Sequence, residues 1–342
     1  MKKITYVITK PIIGGAQVWL KDQVELLVGE YEISVVTSSR GWLTDNLSPD
    51  VKLYFVPSIE KRFSFRALFF LIRILSQTIK PDVVISSSAN AGLYSRLVKV
   101  FYKHRSIYVS HGWSCIYNGG FLSKKVFIFV EKILSQLTDC IWCVSKEDSR
   151  KAIEVIGCSP SKVYILRNSV FPKKLNVLDT SSPLKLLFVG RLEQPKRPEL
   201  LIEAVKGFPS IELTIVGDGK LRKGLVSYPN VNFLGEISGF NEFYRYDAFV
   251  LVSDSEGLPV SALEAASSGL PLILSDVGGC SELVRSMQPN GLLSSNDLES
   301  LTKALSKLIT CYQSFHDSAQ SEVDNFSLLN DKPHIINLIE GD

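Results

Sequence analysis

Two glutamates lie eight positions apart in one short segment, SDSEGLPVSALEAASSGLP, at residues 253–271. A strand-like run, FVLVS, precedes the segment. Pro259 is a natural first helical residue, and Gly269 is the residue type that commonly ends a helix. Glu256 is therefore predicted in a loop after a strand. Glu264 is predicted inside the following helix, about 7.5 Å along its axis from the first residue.

Carboxylates are acceptors suited to pairs of neighbouring hydroxyls, such as those of a ribose or a hexose. One carboxylate near the helix start and one deeper could hold both hydroxyl-bearing ends of a sugar nucleotide, with the backbone N–H groups of Gly257 and Leu258 facing the phosphates between them. The alternative is two solvated helix carboxylates. The apolar neighbours instead predict a buried helix, where an unpaired charge is costly.

Two cations follow another predicted strand in FVGRLEQPKRPEL. Arg191 comes directly after Gly190 at the strand end, and Lys196 precedes a helix that Pro198 could start. Cations at the carboxyl edge of a sheet and beside a helix N-terminus can neutralise a diphosphate. Two solvated surface cations are the alternative, and the position in a strand-end loop favours the diphosphate.

Glycine-rich loops follow two further strands. Gly14 and Gly15 open a helix after the first strand, where a backbone without side chains admits a phosphate or a sugar, although a simple tight turn is as good an explanation. Gly217-Asp218-Gly219 follows IELTIV, and Arg222 stands where a dinucleotide fingerprint requires its third glycine. An NAD-dependent enzyme is therefore not expected.

The elements that must position these residues alternate between short β-branched runs and longer helical patterns, which indicates parallel sheets covered by helices. The alternation stops in FPKKLNVLDTSSP, at residues 171–183, and then restarts. This stretch suits a linker, so we expect two Rossmann-like domains. Strands are expected in ITYVIT, EISVVT, DVVISS, SIYVSH, CIWCVS, LKLLFVG, IELTIVG, VNFLG, DAFVLVS and PLILSD.

Charge is distributed unevenly along the 342 residues. Residues 1–172 contain 23 Lys and Arg against 13 Asp and Glu, a balance of +10, whereas the remainder has a balance of −7. The first half is thus expected to face an anionic partner, either a membrane leaflet or nucleic acid, or to be a scattered basic surface. No recognised nucleic-acid-binding module occurs there, so nucleic acid is not expected.

Neither a membrane span nor a signal peptide is expected, because the apolar runs are short and Lys10 and Pro11 interrupt the first one. Six cysteines without a regular framework fit a reducing cytosol. Cys140 and Cys143 have CxxC spacing, but they lie in a buried strand-like run, so structural cysteines are expected.

Taken together, these motifs resemble the retaining GT-B glycosyltransferases of family 4. They are Gly14-Gly15, Arg191 with Lys196, VGDG at 216–219, NVNFLG at 230–235 and E-G-L-P-x4-E-A from Glu256. The resemblance implies two Rossmann-like domains facing across a central cleft. An acceptor-side domain is expected at 1–172, a nucleotide-sugar domain at 173–325, and a segment at 326–342 that returns to the first domain.

The resemblance also implies residue roles. Arg191 and Lys196 are expected to bind the donor diphosphate and stabilise the departing nucleotide, Glu264 to bind the ribose, and Glu256 to contact the transferred sugar. His111, in SHGW, corresponds to the histidine that reaches the donor sugar. The loops at 217–219 and at Leu234 to Ile237, which includes Gly235, are expected beside the base, the second through its backbone groups.

A narrower resemblance, in SSSANAGLYSRL and YVSHGWS, is to enzymes of capsule, exopolysaccharide and O-antigen synthesis. It implies a polyprenyl-diphosphate-linked acceptor and a cytoplasmic protein peripheral to the inner membrane face. It also implies front-face transfer with no resident cofactor. The chain contains no D-x-D triplet, and the resemblance implies a metal-independent reaction. A sugar-nucleotide 2-epimerase and a non-catalytic assembly partner share this fold and remain alternatives.

Overall fold

A computed structural model describes residues 1–117, 120–177, 183–284 and 289–341. The chain forms two compact units: Met1–Arg167 with Lys332–Asp342, and Asn168–Asp331. The division at Arg167 lies five residues before the expected boundary after residue 172. Residues 171–177 of the expected linker belong to the second unit, and residues 178–182 of it lie outside the described residues.

The sheet of the first unit has seven parallel strands among the described residues, in the order β3-β2-β1-β4-β5-β6-β7. Strands β3 and β7 were not predicted from the sequence, although they overlap the short apolar runs LYFV and VYIL, and both are short edge strands with partly exposed side chains. The strands are β1 Lys3–Val7, β2 Glu32–Thr37, β3 Lys52–Phe55, β4 Val83–Ser86, β5 Arg105–Ser110, β6 Cys140–Cys143 and β7 Val163–Ile165.

Helices α3, α4 and α6 of the first unit pack around one apolar cluster that contains Leu71, Leu93 and Leu134. Two helices, α3 and α7, continue as π-helical turns at Ile74–Ile79 and Ala152–Ile156. Short 3-10 turns lie at Pro57–Glu60 and Pro160–Lys162. The helices are α1 Gly15–Leu27, α2 Trp42–Asp45, α3 Phe65–Arg73, α4 Ala89–Val98, α5 Ser114–Tyr117, α6 Phe121–Gln136 and α7 Lys146–Lys151.

A buried ion pair links two of these helices. The Arg96 guanidinium, 1% exposed, bonds the Glu131 carboxylate at 2.8 Å, donates from Nε to the carbonyl of Gly92 and lies 4.1 Å from the ring centre of Tyr108. A Cβ at Gly92 would approach that ring to 2.4 Å. The pair therefore fixes α4 to α6 at a closely packed position.

The sheet of the second unit is also parallel, with six strands in the described residues, in the order β10-β9-β8-β11-β12-β13. The predicted strands are present, and β13 is an additional edge strand in a part of the chain where only helices were expected. The strands are β8 Leu184–Val189, β9 Ile211–Val216, β10 Val231–Gly235, β11 Ala248–Leu251, β12 Leu272–Ser275 and β13 Gly291–Ser294.

The helices of the second unit begin and end near the predicted signals. The helix that contains Glu264 begins at Val260, one residue later than predicted, because Pro259 is its extended N-cap. Gly269 follows with φ +74°. The helices are α8 Pro198–Val205, α9 Val260–Ser267, α10 Leu298–Thr310, α11 Tyr312–Gln320 and α12 Leu328–Glu340, with 3-10 turns at Arg222–Gly224, Phe243–Arg245, Cys280–Glu282 and Val323–Phe326.

Residues of α12 from Lys332 onwards belong to the first unit. There the Tyr31 hydroxyl donates to the Glu340 carboxylate at 2.8 Å, and the Arg105 guanidinium donates to the carbonyl of Leu338 at 3.0 Å. These bonds fasten the C-terminal end of the chain to β5 and to the start of β2. None of the described helices has the length and apolar character needed to cross a membrane.

Candidate active site

The strand order of the second unit reverses between β8 and β11. In open parallel sheets, ligands bind outside the carboxyl ends of the strands at such a reversal. The two loops that leave these strands are bonded to each other, because Arg197 N–H donates to the carbonyl of Val252 at 2.9 Å and Asp254 N–H donates to that of Pro195 at 2.8 Å. These are the loops that carry the predicted cations and Glu256.

Lys196 and Glu256 form an ion pair across this reversal point. Their side chains are 17% and 12% exposed, so both charges are largely withdrawn from water. Lys196 also pairs as an isolated β-bridge with Ser253, which fixes the direction of its side chain. Arg191 is exposed, and no bonded partner is found for it among the described residues. The structure thus brings together one predicted cation and one predicted carboxylate, and leaves the second cation at the surface.

Close backbone contacts explain several of the glycines. A Cβ at Gly217, where φ is +142°, would lie 2.0 Å from the carbonyl oxygen of Gly190. A Cβ at Gly278 would lie 1.8 Å from the carbonyl oxygen of Glu256, and Gly279 N–H donates to Gly257 at 2.7 Å. Gly278 and Gly279 therefore support the Glu256 loop, a role that the sequence analysis missed although the pair follows a strand.

Asp218 and Gly235 shape the loops after β9 and β10. The Asp218 carboxylate accepts from Gly219 N–H at 2.7 Å, and its carbonyl accepts from Leu192 N–H at 2.9 Å, so this residue joins the β9 loop to the β8 loop. Gly235 has φ +72°, and the nearby Ile237 side chain is exposed. An exposed apolar side chain at the carboxyl edge of the sheet fits the predicted position beside a base.

Glu264 is not solvated, because its carboxylate bonds the Lys173 ammonium at 2.9 Å. Lys173 was not predicted as a site residue, since it lies 91 positions earlier in the chain. Lys173 N–H also donates to the Ser267 hydroxyl at 3.3 Å, which holds the lysine against α9. Gly257 and Leu258 precede this helix, and their N–H groups donate to no other group within the described residues. The buried Leu258 side chain leaves only its backbone available to a ligand.

His111 lies in the first unit, after β5. Its ring contacts Trp19 edge to face, with ring centres 4.9 Å apart, and Trp19 packs in the same way on Trp142. Burial lowers the pKa of His111 to about 4, so the ring is neutral at physiological pH. Its Nε2 is buried and has no hydrogen-bond partner within the described part of the chain. The imidazole is therefore an uncharged hydrogen-bonding group rather than a cation at physiological pH.

Gly14 and Gly15 follow β1 in the same unit. Gly14 is extended, and its carbonyl accepts from the N–H groups of Gln17 and Val18 at 3.0 Å, so it caps α1. A glycine is therefore not needed here for a positive φ. Its effect is to leave the start of α1 without a side chain. Trp19 lies one turn after Gly15 on α1 and was not identified from the sequence. An aromatic residue one turn into a helix is a common sign that this face of the helix packs against other side chains.

Solved structures with the same architecture identify the fold. The UDP complex of Anabaena HepE aligns with a TM-score of 0.81 over 99% of this chain and 100% of that chain, at 17% identity. The sucrose-phosphate synthase of Thermosynechococcus elongatus aligns with a TM-score of 0.84 over 99% of both chains, at 16% identity. The two parallel α/β units therefore form a GT-B glycosyltransferase fold, as expected from the sequence.

Sequence comparison identifies the family. Residues 173–321 match the family described as Glycosyl transferases group 1, and residues 13–174 match Glycosyltransferase Family 4. The O-antigen biosynthesis glycosyltransferase WbnH of Escherichia coli is 44% identical over 96% of this chain and 97% of its own. A second E. coli relative, UDP-Gal:alpha-D-GlcNAc-diphosphoundecaprenol alpha-1,3-galactosyltransferase, is 28% identical over 89% of this chain and 87% of its own. The chain belongs to glycosyltransferase family 4, and it is a glycosyltransferase.

Proposed function

We propose that this glycosyltransferase moves a sugar from a nucleoside-diphosphate sugar to a saccharide carried on a polyprenyl diphosphate, as a step in O-antigen synthesis. The observation that carries the proposal is the Lys196–Glu256 ion pair at the strand-order reversal of the second unit. The names of two relatives support the acceptor and the pathway, since one is an O-antigen enzyme and another acts on a diphosphoundecaprenol-linked sugar.

In this proposal the second unit binds the donor. Lys196 and Arg191 contact the diphosphate, Glu264 binds the ribose hydroxyls, and Glu256 faces the transferred sugar. The N–H groups of Gly257 and Leu258 provide further donors to phosphate. Glu256 and Glu264 are each paired with a lysine in the structure. Binding of the donor therefore rearranges these two ion pairs, so that the carboxylates bond donor hydroxyls and Lys196 bonds phosphate.

We propose transfer with retention of the anomeric configuration and without a metal. As the bond to the leaving group breaks, negative charge develops on the diphosphate, and Lys196 and Arg191 stabilise that charge. The departing diphosphate accepts the proton of the attacking hydroxyl on the same face of the sugar. His111 is neutral and orients the donor sugar by a hydrogen bond. The protein therefore acts by positioning and by electrostatic stabilisation.

The test of this function is a transfer assay. UDP-, GDP- and ADP-sugars are first ranked by the thermal stabilisation that they produce, since a bound donor raises stability by mass action. The best donor is then incubated with N-acetylglucosamine-diphosphoundecaprenol, with and without EDTA, and the product is analysed by mass spectrometry and NMR. We expect a lengthened lipid-linked saccharide in which the anomeric configuration of the donor sugar is retained. It is expected to form at the same rate with EDTA as without it. Isomerised donor without acceptor indicates an epimerase, and no reaction at all indicates an assembly partner. Either result overturns the proposal.

The exposed apolar faces of α3 and α6 support a peripheral position on an anionic membrane. Phe65 is 88% exposed, and Phe69 and Phe70 lie on the same helix. Helix α6 presents a stripe of exposed residues at helical spacing, namely Leu122, Val126, Phe129 and Ile133. The unit that carries both helices holds most of the positive charge of the chain. Basic and apolar residues together are the combination that binds the surface of an anionic leaflet.

Co-sedimentation with phosphatidylglycerol vesicles tests the membrane surface. The double variant Phe65→Ser with Phe69→Ser is expected to bind vesicles on the order of a hundredfold or more weakly than the wild type, because each phenylalanine buries apolar area worth roughly 1.5–3 kcal/mol. The matched control is Tyr164→Ser with Ile165→Ser, which removes exposed apolar side chains from β7 rather than from either helix. Equal loss in both double variants, or no loss in either, contradicts membrane docking through α3.

A further inference from the structure

A pocket of about 300 Å³ opens in the first unit at the carboxyl ends of β4 and β5. It lies between the chain that precedes α3, the start of α4 and the middle of α6. Its volume is at the lower end of the range for small-ligand sites. The lining residues that matter below are Arg62, Phe63, Asn90, Leu93, Phe127 and Glu131.

Most polar side chains that line this pocket are already bonded to other groups of the protein. The Glu131 carboxylate is neutralised by the buried Arg96 guanidinium at 2.8 Å. The Asn90 side chain is fully engaged, because its NH2 donates to the carbonyls of Ile59 and Glu60 and its oxygen accepts from Arg62 Nε. The other walls are apolar or aromatic, apart from the Arg62 side chain at the mouth and the thiol of Cys115. A saccharide needs unused hydrogen-bond partners, whereas a hydrocarbon needs this kind of lining.

A fixed cation stands at the mouth of the pocket. The Arg62 guanidinium lies 4.3 Å from the ring centre of Phe127, and its Nε donates to Asn90 at 3.3 Å. These contacts hold the guanidinium in place while the residue stays exposed. A held, exposed guanidinium is a strong partner for a phosphate group, since it presents several N–H donors in one plane.

Phe63 forms the other side of the mouth. Its ring is parallel to that of Phe127, with centres 6.5 Å apart, and it is 59% exposed. Its φ is +58°, a conformation that is unfavourable for a bulky residue and that often marks a functional position. The Phe63 ring is exposed despite this unfavourable backbone conformation, and it lies next to the exposed apolar faces of α3 and α6. The apolar surface of the two helices therefore continues to the mouth of the pocket.

We propose that this pocket binds the first isoprene units of a polyprenyl diphosphate acceptor, with Arg62 on the diphosphate and Phe63 and Phe127 on the hydrocarbon. The inference rests on the proposed function for its choice of a polyprenyl acceptor. The cation at the mouth matches the diphosphate, and the apolar interior matches the chain attached to it. The site is thus specific for the lipid carrier, and it leaves the saccharide outside the pocket.

Calorimetric titration of the full-length protein with farnesyl diphosphate tests this assignment. We expect saturable binding that Arg62→Ala weakens on the order of tenfold, because a hydrogen bond to a charged group is lost. Phe63→Ala is expected to weaken it roughly two- to tenfold, and Leu93→Trp, which fills the pocket, to abolish it. The matched control is Arg66→Ala, since Arg66 is an exposed arginine of α3 that does not line the pocket. It is expected to bind like the wild type.

Three results overturn the assignment. Inorganic pyrophosphate binding as tightly as farnesyl diphosphate shows that the hydrocarbon makes no contact. Lysophosphatidylglycerol displacing farnesyl diphosphate with equal affinity shows a general anionic-lipid site. Arg62→Ala and Phe63→Ala both binding like the wild type place the ligand elsewhere. Phe63 is at the surface, so its variant remains informative if Leu93→Trp fails to fold.

The same proteins separate this inference from the proposed function. Failure of the proposed function appears as absence of sugar transfer by the wild type with every donor. If the pocket assignment alone is wrong, the wild type still transfers sugar, and the pocket variants bind farnesyl diphosphate as tightly as the wild type does.

Discussion

Replacing Lys196 with methionine removes the charge at the strand-order reversal of the second unit and keeps most of the side-chain volume. In the structure this charge pairs with Glu256, and both groups are mostly buried. In our account the same ammonium stabilises the diphosphate as it departs. Lys196→Met is therefore expected to lower kcat much more than it raises KM, because the charge on the leaving group grows in the transition state.

The size of the effect follows from the burial of the site. Two unit charges about 4 Å apart interact by about 4 kcal/mol at the effective dielectric constant of a protein surface region. Removing one preorganised donor to a developing oxyanion costs about 10²–10³ in kcat. Both arguments predict a kcat about 100 to 1,000 times lower than that of the wild type.

The assay is sugar transfer at saturating donor, with product measured by mass spectrometry. Lys223→Met is the matched control, because Lys223 is an exposed lysine of the same unit, and it is expected to keep wild-type turnover. The double variant Lys196→Met with Glu256→Gln removes the unpaired carboxylate and is expected to recover stability but not activity. A single variant that loses less than about tenfold in kcat refutes the diphosphate role, as does recovery of activity in the double variant.

Two further predictions concern the first unit, which contains all four tryptophans, so that their fluorescence reports its unfolding alone. Arg96→Met is expected to destabilise this unit by about 3–5 kcal/mol in urea, because Glu131 is left buried and unpaired, and Arg96→Met with Glu131→Leu to recover most of the loss. If the double variant is no more stable than Arg96→Met, the ion-pair explanation is wrong. For His111, the pKa of about 4 lies below the ordinary value near 6.5, so the stability of the wild type falls as the pH drops from about 6.5 towards 4, by up to about 1.4 kcal/mol per pH unit. His111→Gln is expected to reduce that slope, and an unchanged slope contradicts a neutral buried ring.

The central strands could be predicted from the sequence because continuous apolar runs, bounded by turn residues, are characteristic of buried parallel strands. The edge strands β3, β7 and β13 were missed, since each is only three or four residues long and partly exposed, and so short an apolar run does not distinguish a strand from other structure. The positions of the loops followed from the strands. For that reason Lys196 and Glu256 are both predicted in strand-end loops, whereas their contact is seen only in the structure.

The partners within the site were less predictable. Lys173 reaches Glu264 from a distant part of the chain, and only the folded structure shows that the two meet. The contact between Trp19 and His111 likewise joins α1 to the loop after β5. Local patterns encode loops and helix ends, whereas ion pairs between distant segments depend on packing that a single sequence does not display.

In the proposed mechanism, the second unit holds a nucleoside-diphosphate sugar with Glu264 on its ribose. The most direct measurement is a calorimetric titration of the preferred donor, and of the same donor with a 2′-deoxyribose, into the wild type and Glu264→Gln. We predict that either change alone weakens binding by at least about tenfold, since hydrogen bonds to a charged group are lost, and that both together weaken it no further. Unchanged affinity in Glu264→Gln, or fully additive losses, contradicts the account.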